Sequence, residues 1–276
     1  MDPEIFLDVA NQVTRLKMYP LFDLAHSVSC LLAIREELGS EGISYSRKHP
    51  LSCWITSMLM IFAGSVLANF LLGEPMLTPL KNNNQVLLAT IVWFGIFYLP
   101  FDVGYKICRF LPFKIVCAAL KEVYRAKKVH DGVYHASKLF PNAYVVMIII
   151  GAIKGNGQAF ITVAERLARG IWTPEAQEIL RPTFSTKACL AAAVVFVIDR
   201  KTDLISAPHA LVYLMVVSFF VYFKLSSILL GISDPFIPFE NLFSAVFLGG
   251  IFDALQERFY GKPKSEDSEV EAPKQD

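Results

Sequence analysis

Residues 142–170 constrain the fold most, because they read NAYVVMIIIGAIKGNGQAFITVAERLARG. This segment is apolar and longer than the roughly 20 residues that cross a bilayer. It nevertheless carries Lys154 near its middle, among Gly151, Gly155 and Gly157. Glycine weakens a helix, and a lysine at this depth faces a protein interior or a water-filled cavity because facing lipid is costly. The segment therefore predicts a broken membrane helix beside a polar path.

The composition is that of an integral membrane protein. Of 276 residues, 54% are hydrophobic and only 18% are charged, whereas soluble domains carry about 25% charged residues. The net charge of +1 indicates no particular partner. Five cysteines, odd in number and scattered through apolar segments, argue against a disulfide framework or a zinc site. We interpret them as small buried hydrophobic residues.

Hydropathy predicts seven membrane-spanning helices. They lie near 16–36, 50–72, 85–106, 112–136, 142–168, 185–200 and 206–231. With the N-terminus outside, the inner loops carry more Lys and Arg than the outer ones, so we expect a lumenal N-terminus and a cytosolic C-terminus. Residues 235–260 are expected to form an interfacial helix or a partial re-entry. The polar tail from Lys262 is expected to be disordered.

Two pairs of segments share their apolar spacing. Residues 60–69 align without gaps on 147–156, and residues 88–96 align on 190–198. Two units of three spans follow, and since three is odd, the second unit is inverted relative to the first. The predicted fold is an all-α membrane protein with seven transmembrane helices, comprising two inverted three-helix repeats plus a seventh helix. Its segments are 1–15, 16–110, 111–200, 206–231 and 232–276: the lumenal N-terminus, the two repeats, the seventh helix and the cytosolic C-terminal segment.

The fourth span carries a basic stripe. Lys114, Ala118, Lys121, Arg125 and Lys128 are separated by helical steps of four and three, which places them on one face. Taken alone, the pattern fits an amphipathic helix that lies on the membrane surface. The repeat instead requires this segment to cross and to aim the stripe at a cavity. Because Lys and Arg at this spacing grip phosphate groups, an anionic phosphoinositide headgroup is the predicted occupant.

Other polar residues leave two interpretations open. Asp23 and His26 share one face of the first span and form either a cation-attracting pore site or a hydrogen-bonded helix contact. Asn69 and Asn156 occupy equivalent repeat positions, where their amides either replace the hydration of a passing ion or bond between helices. Glu122 lies off the basic stripe, which favours a role in packing or in an ion pair.

Lys154 is interpreted as a gate or electrostatic barrier, although pairing with Asp102 or Asp199 would make it structural. Breaks at Gly64 and at 151–157 would expose carbonyl groups that solvate the passing ion. The predicted lipid-binding residues are Lys121, Arg125 and Lys128. The predicted pore and gating residues are Lys154, Gly64, Gly151, Gly155, Gly157, Asn69, Asn156 and Asp23.

Three stretches resemble one family. The sequence KEVYR at 121–125 matches a KEVxR motif, KGNG at 154–157 looks like a broken fifth helix, and YPLFDLAH at 19–26 looks like a first helix. On these residues the chain resembles the trimeric intracellular cation (TRIC) channels, in particular the type B members. The resemblance covers about residues 10–250 and leaves the tail out.

The resemblance implies a homotrimer in the endoplasmic or sarcoplasmic reticulum. Each subunit would have its own hourglass pore for monovalent cations, mainly potassium, and would supply counter-ion current during calcium release. Lys121 and Arg125 would hold the phosphates of a phosphatidylinositol 4,5-bisphosphate in each pore.

The sequence contains no HExxH, GxSxG or P-loop motif, so we do not expect an enzyme. No nucleic-acid partner is expected either. The competing functions are a small-solute or ion transporter with alternating access and a seven-span receptor. The leftover span comes last and the repeats invert, which favours the channel.

Overall fold

The computed structural model describes residues 3–39, 42–168, 182–231, 234 and 236–247. Within these residues the regular structure is helical and no strand occurs. The helices are α1 Pro3–Thr14, α2 Leu21–Leu38, α3 Gly42–Lys48, α4 Pro50–Leu72, α5 Asn83–Phe97, α6 Val103–Arg109, α7 Leu111–Leu139, α8 Tyr144–Ala168, α9 Phe184–Lys201, α10 His209–Leu230 and α11 Ile237–Phe247. The first ten belong to a compact unit that extends to Ser233, and α11 belongs to a second unit that begins at Asp234.

Seven of these helices overlap the seven predicted spans: α2, α4, α5, α7, α8, α9 and α10. By length and hydropathy alone, three helices of the described part can cross a membrane, namely Pro50–Leu72, Tyr144–Val163 and His209–Leu230. A fourth span results if α5 is counted together with the bent segment that follows it. The complete seven-span arrangement and the inverted repeat stay predictions.

The third span differs from the single helix predicted over 85–106. Helix α5 ends at Phe97, a 3-10 turn covers Pro100–Asp102, and α6 leaves at 94° to α5. A proline has no backbone N–H to continue the helical ladder, and it disfavours helical backbone in the preceding residue. Phe101 and Asp102 then adopt left-handed backbone with φ of 57° and 56°. The prediction of one continuous helix is therefore wrong.

Arg35 of α2 holds this break in place. Its Nη2 donates to both carboxylate oxygens of Asp102 at 3.2 Å. Its guanidinium lies 5.6 Å from the ring centre of Phe97 and 5.3 Å from that of Tyr105. The side chain is thus clamped between the last turn of α5 and the first turn of α6, which fixes the bend by packing as well as by charge.

The basic fourth span lies at the centre of the first unit. Helix α7 contacts α2, α8, α9 and α10. It crosses α8 closely, because a Cβ added to Gly132 would lie only 2.9 Å from the Cα of Gly151. The alternative of a helix lying on the membrane surface is therefore wrong, since a helix surrounded by four others faces protein.

Two predictions concern the C-terminal part of the chain, of which the structure describes only some residues. Helix α11 lies within the predicted interfacial segment 235–260 and exposes large apolar side chains, among them Leu242, Phe243 and Phe247. The predicted disordered tail from Lys262 lies outside the described residues. The five cysteines are free and buried, as predicted.

Candidate pore site

A polar cavity lies between α2, α4, α7 and α8, at the middle of the first unit. Its volume of about 30 Å³ is room for about two or three water molecules. Its lining residues are His26, Met60, Ile61, Phe62, Gly64, Ser65, Lys121, Tyr124, Arg125, Lys128, Lys154, Gly155, Asn156, Gly157 and Gln158. The lining therefore combines the basic stripe of α7 with the glycine-rich part of α8.

Helix α8 is broken where the sequence predicts it. Asn156 departs from helical backbone, with φ of −134° and ψ of 29°. Its side chain is buried, and Nδ2 donates to Thr186 Oγ1 of α9 at 2.7 Å. Of the two interpretations of Asn156, the geometry therefore shows the interhelical hydrogen bond, and it sits at the break itself.

Helix α4 is not broken at Gly64, so that part of the prediction is wrong. It runs from Pro50 to Leu72 without a non-helical residue. Gly64 instead lets α8 approach: a Cβ added to Gly157 would clash with the Cα of Gly64 and lie 2.6 Å from its N. A Cβ on Gly64 would in turn clash with the carbonyl oxygen of Lys154 and lie 3.1 Å from that of Ile153. The break in α8 thus turns two carbonyl groups toward α4.

The four basic residues that line the cavity are not electrostatically equivalent. Arg125 Nη1 lies 2.6 Å from both carboxylate oxygens of Glu122 and donates to Ser185 Oγ at 3.1 Å. Glu122 is 1% exposed, so its charge is offset by Arg125 inside the protein. The predicted ion-pair role of Glu122 is confirmed, and the charge of Arg125 is largely neutralised.

The three cavity lysines differ from Arg125, because within the described residues none of them pairs with a carboxylate. Lys121 Nζ donates to Gln158 Oε1 at 3.3 Å, and Lys128 Nζ lies 4.9 Å from the ring centre of Tyr124. In the described part of the chain, no ion pair joins Lys121, Lys128 or Lys154 to a carboxylate. The cavity therefore carries a positive potential that is not offset locally.

The two proposed partners of Lys154 are engaged elsewhere. Asp102 pairs with Arg35, and Asp199 is hydrogen bonded to His209. The structural alternative that assigned one of these carboxylates to Lys154 is therefore wrong. Lys154 stays a candidate for a gate or barrier at the cavity.

Two predicted pore residues besides Asp23 lie outside the cavity lining. Asn69 is near the end of α4, where its Nδ2 donates to the carbonyl oxygen of Pro75 at 3.4 Å. Gly151 packs against α7, because a Cβ there would lie 2.6 Å from Val133 Cγ2. Both residues serve local contacts in this structure, and the hydrogen bond of Asn69 to the loop after its own helix matches neither of its two interpretations.

Asp23 and His26 separate despite their shared helix face. Asp23 is buried and accepts a hydrogen bond from Gln85 Nε2 of α5 at 3.1 Å. His26 lines the cavity, where Nε2 donates to the carbonyl oxygen of Ile61 at 3.0 Å and the ring lies 4.7 Å from that of Tyr124. Asp23 is therefore a helix contact, whereas His26 belongs to both a helix contact and the cavity.

Sequence reasoning did not single out two residues of the lining. Tyr124 lies between His26 and Lys128 and contacts both. Gln158 accepts from Lys121 and also from the thiol of Cys30, at 3.1 Å. Helical spacing could have found Tyr124, since it lies three residues after Lys121 and four before Lys128.

A second cavity opens beside the first and shares Lys121 with it. Its volume is about 290 Å³. Lysines 114, 121 and 224 supply its charge together with Glu36, which accepts a hydrogen bond from Lys114 at 3.1 Å. Apolar and thiol side chains of α2, α6, α7 and α10 complete the wall: Val28, Leu32, Ala33, Cys108, Cys117, Ala118 and Ile228. This side cavity therefore combines phosphate-binding groups with an apolar surface.

Comparison with known proteins gives one consistent result. The family model described as TRIC channel matches residues 39–231. The chain is 52% identical over 255 residues to trimeric intracellular cation channel type 1B.1 of Caenorhabditis elegans, covering 92% of this chain and 86% of that protein. A solved structure of a trimeric intracellular cation channel from C. elegans without Ca²⁺ superposes with a TM-score of 0.80 at 48% identity, over 85% of this chain and 100% of that one. A structure that explains the activity of TRIC counter-ion channels in calcium release gives 0.76 at 31% identity, over 82% and 99% of the two chains.

Proposed function

Because the chain belongs to the trimeric intracellular cation channel family, we propose that it conducts potassium across the endoplasmic or sarcoplasmic reticulum membrane. The current would balance the charge moved during calcium release, as expected for the counter-ion channels that it resembles in structure. Members of the family are channels, so the chain is a multi-pass intracellular membrane protein and not an enzyme. The proposed orientation has a lumenal N-terminus and a cytosolic C-terminus.

The observation that carries this proposal is the broken helix at the central cavity. The break at Asn156 lies beside Lys154, and the carbonyl groups of Ile153 and Lys154 face α4 across Gly64. Non-helical backbone at membrane depth is tolerated only in protein or along a water-filled path. Carbonyl oxygens at such a break can replace the hydration shell of a monovalent cation.

Single-channel recording of the purified protein in asymmetric potassium chloride tests the proposal. We expect a reversal potential close to the potassium equilibrium value, because backbone carbonyl groups solvate cations. A reversal potential near the chloride equilibrium value would overturn the proposal. Slow saturable flux without unitary current steps would indicate a carrier instead.

The proposed assembly is a homotrimer in which each subunit has its own pore. Four helices of a single chain, α2, α4, α7 and α8, suffice to surround the central cavity, which supports this proposal. A tandem trimer with one inactive subunit should then lose about a third of its current levels. Loss of all current in that protein would show that the pore is shared.

We further propose that a phosphoinositide, phosphatidylinositol 4,5-bisphosphate in the first instance, occupies the side cavity. The side cavity, at about 290 Å³, is much larger than the central cavity, at about 30 Å³, and so offers more room for an inositol phosphate headgroup. Lys121 lines both, so a phosphate in the side cavity would offset its charge at the pore. Arg125 is engaged by Glu122, and Lys128 lines only the central cavity. The lipid contacts therefore centre on Lys121, with Lys114 and Lys224 in addition.

Lipid retention tests this assignment. Replacing both Lys121 and Lys224 by Ala should weaken phosphoinositide binding by on the order of 2–4 kcal/mol, since two charge-assisted contacts are lost. Mass spectrometry of the purified protein reads the bound lipid directly. Lys138→Ala/Lys201→Ala removes the same charge away from both cavities and should retain the lipid. Unchanged lipid in the Lys121/Lys224 variant would refute the site.

A further inference from the structure

Four side chains form a continuous chain that joins α7, α9 and α10 outside the central cavity. Asp199 Oδ2 is hydrogen bonded to His209 Nδ1. His209 Nε2 lies 3.1 Å from His130 Nε2, and His130 Nδ1 lies 3.3 Å from Asp131 Oδ1. Lys127 Nζ lies 3.3 Å from the same oxygen of Asp131. The two imidazoles thus face each other, and each has a carboxylate at its other nitrogen.

The number of protons on these four side chains decides whether all three contacts between them are hydrogen bonds. A carboxylate only accepts hydrogen bonds, and a neutral imidazole carries one N–H and one lone pair. The three contacts need one proton each, but two neutral imidazoles supply only two. If both Nδ1 atoms donate to their carboxylates, the two Nε2 lone pairs face each other at 3.1 Å. A third proton completes all three hydrogen bonds.

The contact that lacks a proton in the neutral form is the one between His130 and Asp131. Asp199 is 4% exposed, so leaving it without its donor would strand a buried charge. Asp131 is 42% exposed and has Lys127 as a second partner. His130 therefore donates from Nε2 to His209 in the neutral form, and its Nδ1 lone pair faces the carboxylate of Asp131. A proton taken up at His130 Nδ1 turns this repulsion into a charge-assisted hydrogen bond.

We propose that these four side chains form a proton-binding site that adjusts cation conduction, an inference that rests on the proposed channel function. The proton enters from solvent, because His209 is 47% exposed. In the proposed orientation these four side chains lie on the lumenal side. The other groups that face it are Lys127 of α7, Phe196 of α9 and Tyr213 of α10, which packs edge-on against His130, together with Lys154 of α8, which interacts electrostatically with Asp131.

Asp131 links this site to the central cavity. Its charge acts on both Lys128 and Lys154, which line that cavity. Protonated His130 adds a positive charge beside Asp131 and reduces the negative potential at these lysines. The cavity then becomes more positive and repels cations more strongly. Acidification should therefore lower the potassium current.

Alternatives that bind a metal ion fit the geometry less well. Histidine ligands commonly donate their second nitrogen to a carboxylate, as here. Within the described residues, however, no group of three or more His, Cys, Asp or Glu is arranged to hold a metal ion. Two imidazole nitrogens at hydrogen-bond distance are satisfied by one proton.

Bilayer recordings with a chelator present, and with pH changed on one side at a time, test the proposal. Imidazoles ordinarily titrate between about pH 5 and 8. Acidifying the lumenal side across this range should reduce the wild-type current by about three- to tenfold, the effect of one added unit charge about 10 Å from a cation in the cavity. His209→Ala and Asp131→Asn should abolish most of this response. His49→Gln, at the start of α4 and outside the lining of both cavities, should keep it.

A second measurement does not depend on current. Nitrogen-15 NMR of labelled histidines should show His130 and His209 changing together in one titration step, and His209→Ala should change the behaviour of His130. Independent titration of the two residues, or a pH response retained in His209→Ala, would overturn the proposal. So would a response that requires added Zn²⁺ and disappears with the chelator. A wild-type protein without potassium current would refute the channel function alone, and NMR would still decide the proton site.

Discussion

Replacing Glu122 by Gln tests the buried ion pair beside the pore. Both carboxylate oxygens lie 2.6 Å from Arg125 Nη1, and the two side chains are 1% and 9% exposed. Gln keeps the shape of Glu but removes its charge, so the guanidinium keeps only neutral acceptors, the Gln carbonyl oxygen and Ser185 Oγ, and its own charge is no longer offset. Removing one member of a buried pair costs about 3–5 kcal/mol of unfolding free energy. We expect a clearly lower midpoint of thermal unfolding in detergent.

An exposed pair that joins α7 to α2 provides the control. Lys114 and Glu36 are 3.1 Å apart but 41% and 39% exposed, so Glu36→Gln should cost only about 0–1 kcal/mol. Glu122→Gln combined with Arg125→Met removes both charges and should recover much of the loss, because no buried charge is left unpaired. A Glu122→Gln protein that unfolds at the same temperature as Glu36→Gln would refute the reasoning.

Two further substitutions test the crossing of α4 with α8 and the cavity lysine. Gly157→Ala should destabilise by about 1–3 kcal/mol, because its Cβ meets the backbone of α4 and the helices must separate. Gly95→Ala, whose Cβ meets nothing within 4 Å, should be neutral or stabilise by up to about 1 kcal/mol, and equal unfolding midpoints for the two proteins would contradict the close approach. Lys154→Ala should change open probability or rectification while the protein stays folded and trimeric, and unaltered currents would confine Lys154 to a structural role.

The central part of the fold could be predicted because its sequence signals are hard to satisfy in another way. A lysine among glycines in an apolar segment has few acceptable environments, so the break in α8 and the position of Lys154 follow from the cost of burying charge. The helical spacing of Lys121, Arg125 and Lys128 likewise places them on one face whatever surrounds that face. These residues line the cavity together.

The rest depends on partners that a single sequence does not specify. Gly64 lies in an apolar segment, as the glycines of α8 do. Helix α4 nevertheless stays helical there, and Gly64 allows α8 to approach it closely. Asp23 could face a pore or a helix, and only the position of Gln85 on α5 decides between them. Pro100 is a local signal for the bend after α5. Because the residues on both sides of Pro100 are apolar, hydropathy alone nevertheless predicts a single span.

The short length of α5 makes the hydrophobic thickness uneven around a subunit. Its 15 residues rise about 22 Å, whereas the 23 residues of α4 rise about 34 Å. A hydrocarbon layer is about 30 Å thick on average and about 27 Å in the endoplasmic reticulum. Leu87, Ile91 and Phe94 point outward along this short helix. Hydrophobic mismatch at α5 is therefore smaller in a thin bilayer than in a thick one, so the thickness of the surrounding membrane acts unequally on the two sides of the molecule that α4 and α5 form.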